Sequence, residues 1–331
     1  MKTFLPKTFL AFRYFPIERS RGIICGGIHD EHIFRDILEV HRKKPIDIIH
    51  ANTIYSIPIA TACKMALHIP FVCSVHNELL TAKPFFLCDK VLPVSNYLRC
   101  FLQEKRKYGK KMEILPDAIN IDAYKGKKTI NEAKEELGIS NRIVILFVGR
   151  KCPEKGPEVL VRALQSVVKN YPDVVAVFLG PDSFFGSCSL TYTESLIAKA
   201  RNFGLEKNVV FKGYVSEREL QLYYNCADIF VCPSVWNEPF GMVLIEALGY
   251  KKPVVASRVG GIPEIIIDQK TGLLTQPGDS VDLSNKIVRL LDNPTLGKEM
   301  GANGRKMVEE HFSFRAIGNR CLEIYKKVLE D

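Results

Sequence analysis

Residues 234–266, SVWNEPFGMVLIEALGYKKPVVASRVGGIPEII, decide the fold. Glu238 is followed by Pro239 and Gly241, which puts it in a loop leading into a helix. Glu246 comes after seven intervening residues, inside the apolar run Met242 to Leu248. A carboxylate among Val243, Leu244, Ile245, Ala247 and Leu248 is costly to bury unless donors reach it, and ribose hydroxyls are suitable donors. Taken alone, Glu246 is more simply read as the polar stripe of an amphipathic helix. A stripe does not account for Phe240-Gly241-Met242, whose backbone N–H groups would be open to an anion at a helix start. Nor does it account for Gly260-Gly261-Ile262-Pro263-Glu264, one strand later, a second place where backbone can come close to a ligand.

Upstream, residues 145–164 read ILFVGRKCPEKGPEVLVRAL. A strand ends at Val148-Gly149, two cations follow at Arg150 and Lys155, and Gly156-Pro157 opens a helix. Ligands of open parallel sheets lie at the carboxyl ends of the strands, so both cations would face the crevice beside a helix N-terminus. That is a diphosphate site in outline. The plainer alternative is a pair of solvent-facing charges in a surface loop.

The pattern around these segments alternates short apolar runs with helical periods, as in a parallel sheet covered by helices. Expected strands are Ile46 to His50, Phe71 to Val75, Lys90 to Val94, Arg142 to Gly149, Val174 to Gly180, Val209 to Lys212, Ile229 to Cys232 and Pro253 to Ala256. Helices are expected near 57–67, 95–107, 157–170, 191–203, 216–225, 241–249, 280–292, 295–310 and 313–330. Residues 117–141 are polar and Lys-rich and read as a linker. The fold class is therefore α/β with parallel sheets.

The two segments together resemble glycosyltransferase family 4, also called group 1. Its hallmark of two glutamates separated by seven residues is matched by Glu238 and Glu246, and its G-R-x(4)-K-G segment by Gly149, Arg150, Lys155 and Gly156. The resemblance covers about residues 45–331 and is strongest over 143–311. It implies the GT-B fold, two facing Rossmann-like domains, here with an abridged N-terminal one. The expected division is an acceptor-side domain over 1–122 and a nucleotide-sugar-binding domain over 123–331, with helix 313–330 packing back toward the first. It further implies that Arg150 and Lys155 bind the diphosphate, Glu238 holds donor-sugar hydroxyls and Glu246 the ribose. Phe240, Gly241, Met242 and Val243 would meet phosphate and sugar through backbone, and Gly213-Tyr214-Val215 would line the base pocket. His76, in Cys73-Ser74-Val75-His76, matches a histidine placed beside the transferred sugar. Ser95 matches a family serine and serves equally as a helix N-cap.

The implied activity is retaining transfer from a UDP- or GDP-sugar to a cell-envelope glycan, lipid-linked or other acceptor, the leaving phosphate assisting the incoming hydroxyl. No D-x-D triplet occurs, which points to metal independence and no cofactor. His29-Asp30-Glu31-His32 has the spacing of a metal pair but nothing nearby completes a ligand set, and it reads more simply as the start of an amphipathic helix running to about Arg42 with acids in its first turn. Only 44 residues precede Pro45, and Gly26-Gly27 is not assigned to the family's Gly-Gly loop, because it is not followed by the expected long amphipathic helix at the right distance from a first strand. A shortened first domain leaves an alternative, a non-catalytic or truncated nucleotide-sugar-binding relative acting with a partner.

Composition sets the outer bounds. An apolar content of 47% over 331 residues supports two cores. Ten scattered cysteines without a C-x-x-C pair read as buried hydrophobes of a reducing compartment. Pro6, Lys7 and Arg13 break the N-terminal apolar run before it reaches signal length, so a cytoplasmic protein is expected. Residues 1–128 carry 21 Lys and Arg against 12 Asp and Glu, whereas 129–331 carry 25 of each. The basic first part suits peripheral contact with an anionic membrane face. Nucleic acid is not expected, since no aromatic-plus-basic recognition motif accompanies the charge.

Overall fold

The computed structural model describes residues 9–12, 28–52, 56–78, 87–105, 111–124, 128–182 and 191–330. The chain divides into two compact units, Met1–Pro116 with Ile317–Asp331, and Asp117–Ala316.

The first unit runs β1 (Phe9–Phe12), α1 (Ile28–Lys43), β2 (Ile48–Ala51), α2 (Ile57–Leu67), β3 (Phe71–Val75), β4 (Lys90–Pro93) and α3 (Asn96–Lys105). The strands form a parallel sheet in the order β1-β2-β3-β4. All five residues of β3, FVCSV, are buried, which is the uninterrupted apolar run that a strand covered on both faces needs. Ser95 Oγ accepts from the Leu98 N–H at 3.1 Å and caps α3. The reading of Gly26-Gly27 needs correction: β1 pairs in parallel with β2, and α1 begins directly after Gly27. A strand and a long helix therefore do flank the glycine pair, which itself lies outside the described residues. The short strand FLAF was hidden in an N-terminal stretch read only for targeting. The side chains of His29 to His32 also lie outside the described residues; among those described, no three His, Cys, Asp or Glu side chains gather as a metal site.

The second unit contains α4 (Ile130–Glu136), β5 (Ile143–Val148), α5 (Pro157–Asn170), β6 (Val174–Leu179), α6 (Thr191–Asn202), β7 (Val209–Lys212), α7 (Glu217–Cys226) and β8 (Ile229–Cys232). It continues with α8 (Met242–Gly249), β9 (Val254–Ser257), α9 (Ile262–Ile265), β10 (Leu273–Thr275), α10 (Ser280–Asp292) and α11 (Pro294–His311). The six strands are parallel in the order β10-β9-β8-β5-β6-β7. Phe147, Phe178 and Phe211 run across β5, β6 and β7 with ring centroids 5.6 and 4.6 Å apart, and Ile145, Leu160, Leu164 and Val231 complete the core around them. Truncating one such leucine to alanine costs about 2–5 kcal/mol. From β5 the chain builds outward through β6 and β7, then jumps back to lay β8 on the other side of β5. The sheet's switch point thus falls between β5 and β8, where open α/β sheets bind ligands.

Residues 117–141 are not a bare linker. They hold a 3-10 turn (Ile121–Tyr124) and α4, which is capped by Thr129 and Glu132 in a reciprocal box. Ion pairs replace the missing apolar stripe: Arg218 of α7 meets Glu136 at 2.6 Å, and Lys134 meets Asp228 at 2.8 Å.

The last helix, α12 (Phe314–Glu330), supplies Ile324, Tyr325 and Val328 to the core of the first unit, against Ile48, Val72, Leu92 and Leu115. His50 of β2 locks it there, with Nδ1 2.6 Å from the Tyr325 hydroxyl and Nε2 2.7 Å from Ser74 Oγ. Burial, with a smaller contribution from His76, holds the His50 pKa down to about 4, so the ring is neutral and uses one nitrogen as donor and one as acceptor.

Candidate active site

Two loops at the carboxyl ends of β5 and β8 build the site. After β5 the chain makes a 3-10 turn (Pro153–Lys155) and reaches Gly156 at φ +66°. A Cβ on Gly156 would lie 2.0 Å from the Pro233 carbonyl oxygen, so only glycine lets this loop lie on the backbone beyond β8. The Val235 N–H donates to the Glu154 carbonyl at 2.9 Å and fastens the two loops together.

The clasp brings Lys155 and Glu238 into contact. The Lys155 ammonium donates to Glu238 Oε1, and the buried Ser234 hydroxyl donates to the same oxygen at 2.9 Å. Among the described residues nothing donates to Oε2, which therefore keeps its lone pairs for a ligand. Glu238 is only 7% exposed, and its main chain is held from behind. Gly260, at φ +53°, approaches so closely that a Cβ would lie 2.2 Å from the Glu238 carbonyl oxygen, and Gly261 N–H donates to that oxygen at 2.7 Å.

Three residues beyond Glu238, Gly241 at φ +113° starts α8, and no side chain caps that start. The first N–H groups of an uncapped helix carry its positive end and suit a phosphate oxygen. The Phe240 side chain is buried edge-on against Phe312 with centroids 5.6 Å apart, so it is the backbone that this residue can offer. Met242 is 36% exposed beside it and Val243 half-buried.

Glu246 is half-buried on α8, and the hydroxyl of Tyr224 donates to its Oε2 at 2.7 Å. Burial raises its carboxyl above the ordinary value, and the Tyr224 bond works against that rise. A protein donor thus meets part of the demand expected to fall on ribose hydroxyls, and one oxygen is left over. Cys232, at the end of β8, sits between the two glutamate sites. Its thiol is pushed up to about 11, chiefly by burial, with Glu238 raising and Lys155 lowering it.

The remaining expected residues lie at neighbouring strand ends. Gly149 follows β5 directly, its N–H bonded to Leu179 O, and Arg150 is exposed on the same loop. Gly213 follows β7 and accepts from the Gly180 N–H at 3.1 Å; Tyr214 is 85% exposed and Val215 half-buried. His76 is carried by the first unit, at the carboxyl end of β3.

Three residues escaped sequence reasoning. Lys151 is 2% exposed, with its ammonium on the carbonyls of Gly180 and, at 3.0 Å, Lys212, so it ties together the ends of β5, β6 and β7. Ser234 and Tyr224 orient the two glutamates. Tyr224 and Glu246 are 22 residues apart on different helices, a pairing that no spacing rule reveals.

The family model for glycosyl transferases group 1 matches residues 129–307, and that for Glycosyltransferase Family 4 matches 21–123. Spore coat protein SA of Bacillus subtilis is 26% identical over 91% of this chain and 85% of its own length. A GDP-mannose-dependent alpha-(1-6)-phosphatidylinositol monomannoside mannosyltransferase of Mycolicibacterium smegmatis is 28% identical over 71% of this chain and 62% of its own. The crystal structure of Anabaena Alr3699/HepE in complex with UDP-glucose superposes with a TM-score of 0.77 at 23% identity, over 89% of this chain and 82% of that one. With two Rossmann-like units, a β5–β8 switch-point site and a family model spanning more than half its length, the chain belongs to the group 1 glycosyl transferases of the GT-B fold class.

Proposed function

We propose that this glycosyltransferase takes its sugar from a UDP- or GDP-sugar and passes it, with retention and without a metal, to a glycan or lipid-linked acceptor. The observation that carries the reading is the Lys155–Glu238 pair: Lys155 and Ser234 hold one carboxylate oxygen, and the other is open beside the uncapped start of α8. UDP-glucose in the Anabaena fold relative and GDP-mannose in the name of the Mycolicibacterium relative support the donor class.

In this reading the diphosphate lies against the first N–H groups of α8, with Lys155 and Arg150 as counter-charges. Negative charge grows on the diphosphate as the glycosidic bond breaks, and preorganised donors there lower the barrier. Glu238 Oε2 accepts hydroxyls of the sugar and fixes its orientation. Glu246 accepts from the ribose, and Gly213-Tyr214-Val215 receive the base. An oxygen of the departing phosphate takes the proton of the incoming hydroxyl on the same face, which retains configuration. No helix among the described residues is long and apolar enough to cross a membrane, and we assign the chain to the cytoplasmic side, with peripheral contact through the basic first unit.

Release of nucleoside diphosphate from a panel of UDP- and GDP-sugars, with and without a chelator, tests this reading. Turnover that survives chelation and an axial or equatorial product matching the donor anomer by NMR are expected. Saturable binding with no turnover across acceptors refutes the catalytic assignment.

A further inference from the structure

We propose that Tyr224 is a positioning residue for donor binding: its buried hydroxyl holds the Glu246 carboxylate aimed as the acceptor for the nucleotide ribose. The proposal rests on Glu246 being the ribose ligand, as set out above.

The geometry fixes the hydroxyl. Tyr224 is 2% exposed, and its ring is stacked on Phe230 with centroids 5.7 Å apart and on Tyr250 at 5.6 Å with an interplanar angle of 6°. A ring held on both sides has no freedom to swing its oxygen away, so the 2.7 Å bond to Glu246 Oε2 is built in. Burial pushes the phenol well above its ordinary pKa, so it remains a donor at any working pH. With Oε2 occupied, Oε1 is the atom left to a ligand.

The charge environment gives the hydroxyl its importance. Tyr224 and Glu217 face this region from α7, Tyr124 from the 3-10 turn, Tyr250 from the end of α8 and Cys232 from β8. Arg305 of α11 turns its guanidinium to the carbonyls of Gly249, Tyr124 and Ile121 instead. No cation among the described residues pairs with Glu246. Burial alone would favour its protonated form, and the Tyr224 bond opposes that. A protonated Glu246 turns one oxygen into a donor and loses its capacity to accept two ribose hydroxyls.

The test is the affinity of UDP, GDP and ADP, each alone, by titration calorimetry from mildly acid to mildly alkaline pH. The variants are Tyr224→Phe, Glu246→Gln, their double and, as a hydroxyl deletion outside the bond, Tyr250→Phe. Tyr224→Phe is expected to bind more weakly than wild type, with the deficit widening to about tenfold toward the acid end. Glu246→Gln and the double variant are expected to bind weakly at every pH, and Tyr250→Phe to follow wild type. If Glu246→Gln weakens binding but Tyr224→Phe keeps the wild-type pH profile, the positioning role of Tyr224 is overturned. If Glu246→Gln binds as wild type, the ribose assignment itself fails, whatever Tyr224→Phe does. Should Tyr224→Phe not fold, carboxyl-carbon NMR of Glu246 in the wild type replaces it. Its titration must track the acid loss of UDP binding and shift the Tyr224 Cζ signal with it; a titration without effect on binding, or one that Tyr224 does not sense, overturns the proposal.

Discussion

Replacing Gly260 with alanine tests how rigidly Glu238 is held. Gly260 sits at φ +53°, and an added Cβ would lie 2.2 Å from the Glu238 carbonyl oxygen and 2.6 Å from its nitrogen. Non-bonded heavy atoms settle at about 3.5–4.0 Å, so one of the two backbones must retreat by roughly 1 Å. The left-handed conformation costs an alanine about 1–2 kcal/mol. Overpacking against backbone that cannot rotate away adds about 1–3 kcal/mol. The expected destabilisation is about 2–5 kcal/mol, a fall in Tm of roughly 5–15 °C for a unit of this size. A displacement of about 1 Å at Glu238 breaks its register with Lys155 and Ser234 and lowers turnover about 100-fold. Gly204→Ala is the matched control, because Gly204 has φ +69° but nothing within 4 Å of its Cβ position. That variant bears only the conformational cost and keeps its turnover. Thermal unfolding and nucleoside diphosphate release, run on both variants, separate the two contributions. If Gly260→Ala melts and turns over like Gly204→Ala, the reasoning about close backbone approach is refuted.

Lys155→Met removes the cation nearest Glu238 and is expected to lower nucleotide release about 100- to 1,000-fold; an unchanged rate in the same assay contradicts the leaving-group role. Acid is expected to loosen the first unit through His50. Its folded pKa of about 4 lies below the ordinary 6.5, so the unfolded chain alone takes up the proton as pH falls through that window. The His50 contribution is intact above pH 6.5 and lost toward pH 4, about 3 kcal/mol in all, and denaturant melts of His50→Gln should lack that component of the slope. Arg305 is 7% exposed and donates to the carbonyls of Gly249 at 2.5 Å, Tyr124 at 3.2 Å and Ile121 at 3.3 Å. Arg305→Met orphans these acceptors, one at the end of α8 and two in the 3-10 turn, and should cost about 3 kcal/mol in chemical denaturation without altering the donor specificity.

The second unit was the more legible half of the molecule. Strands such as Val209–Lys212 and Ile229–Cys232 and the helix Pro157–Asn170 announce themselves by apolar runs and by Gly-Pro start signals. Two elements there carry weaker signals. In α4 only Ala133 is buried, and its Thr129–Glu132 capping box was the sole local cue. β10 is three residues long, too short for periodicity to mark. In the first unit β1 shared its residues with an N-terminal run that composition invites one to read as something other than a strand. The site divides in the same way. Glu238, Glu246, Arg150 and Lys155 are written as spaced motifs, whereas Tyr224, Ser234 and Lys151 matter through partners that only the folded sheet supplies. Local spacing encodes which groups can act; tertiary packing decides which oxygen of each carboxylate is left open.

A crystal structure of the chain with an intact UDP- or GDP-sugar tests the central claim most directly. The diphosphate should lie at the first N–H groups of α8 within reach of Lys155 and Arg150, with a sugar hydroxyl on Glu238 Oε2 and ribose on Glu246 Oε1. A donor bound elsewhere, or bound there with both of these oxygens untouched, contradicts it.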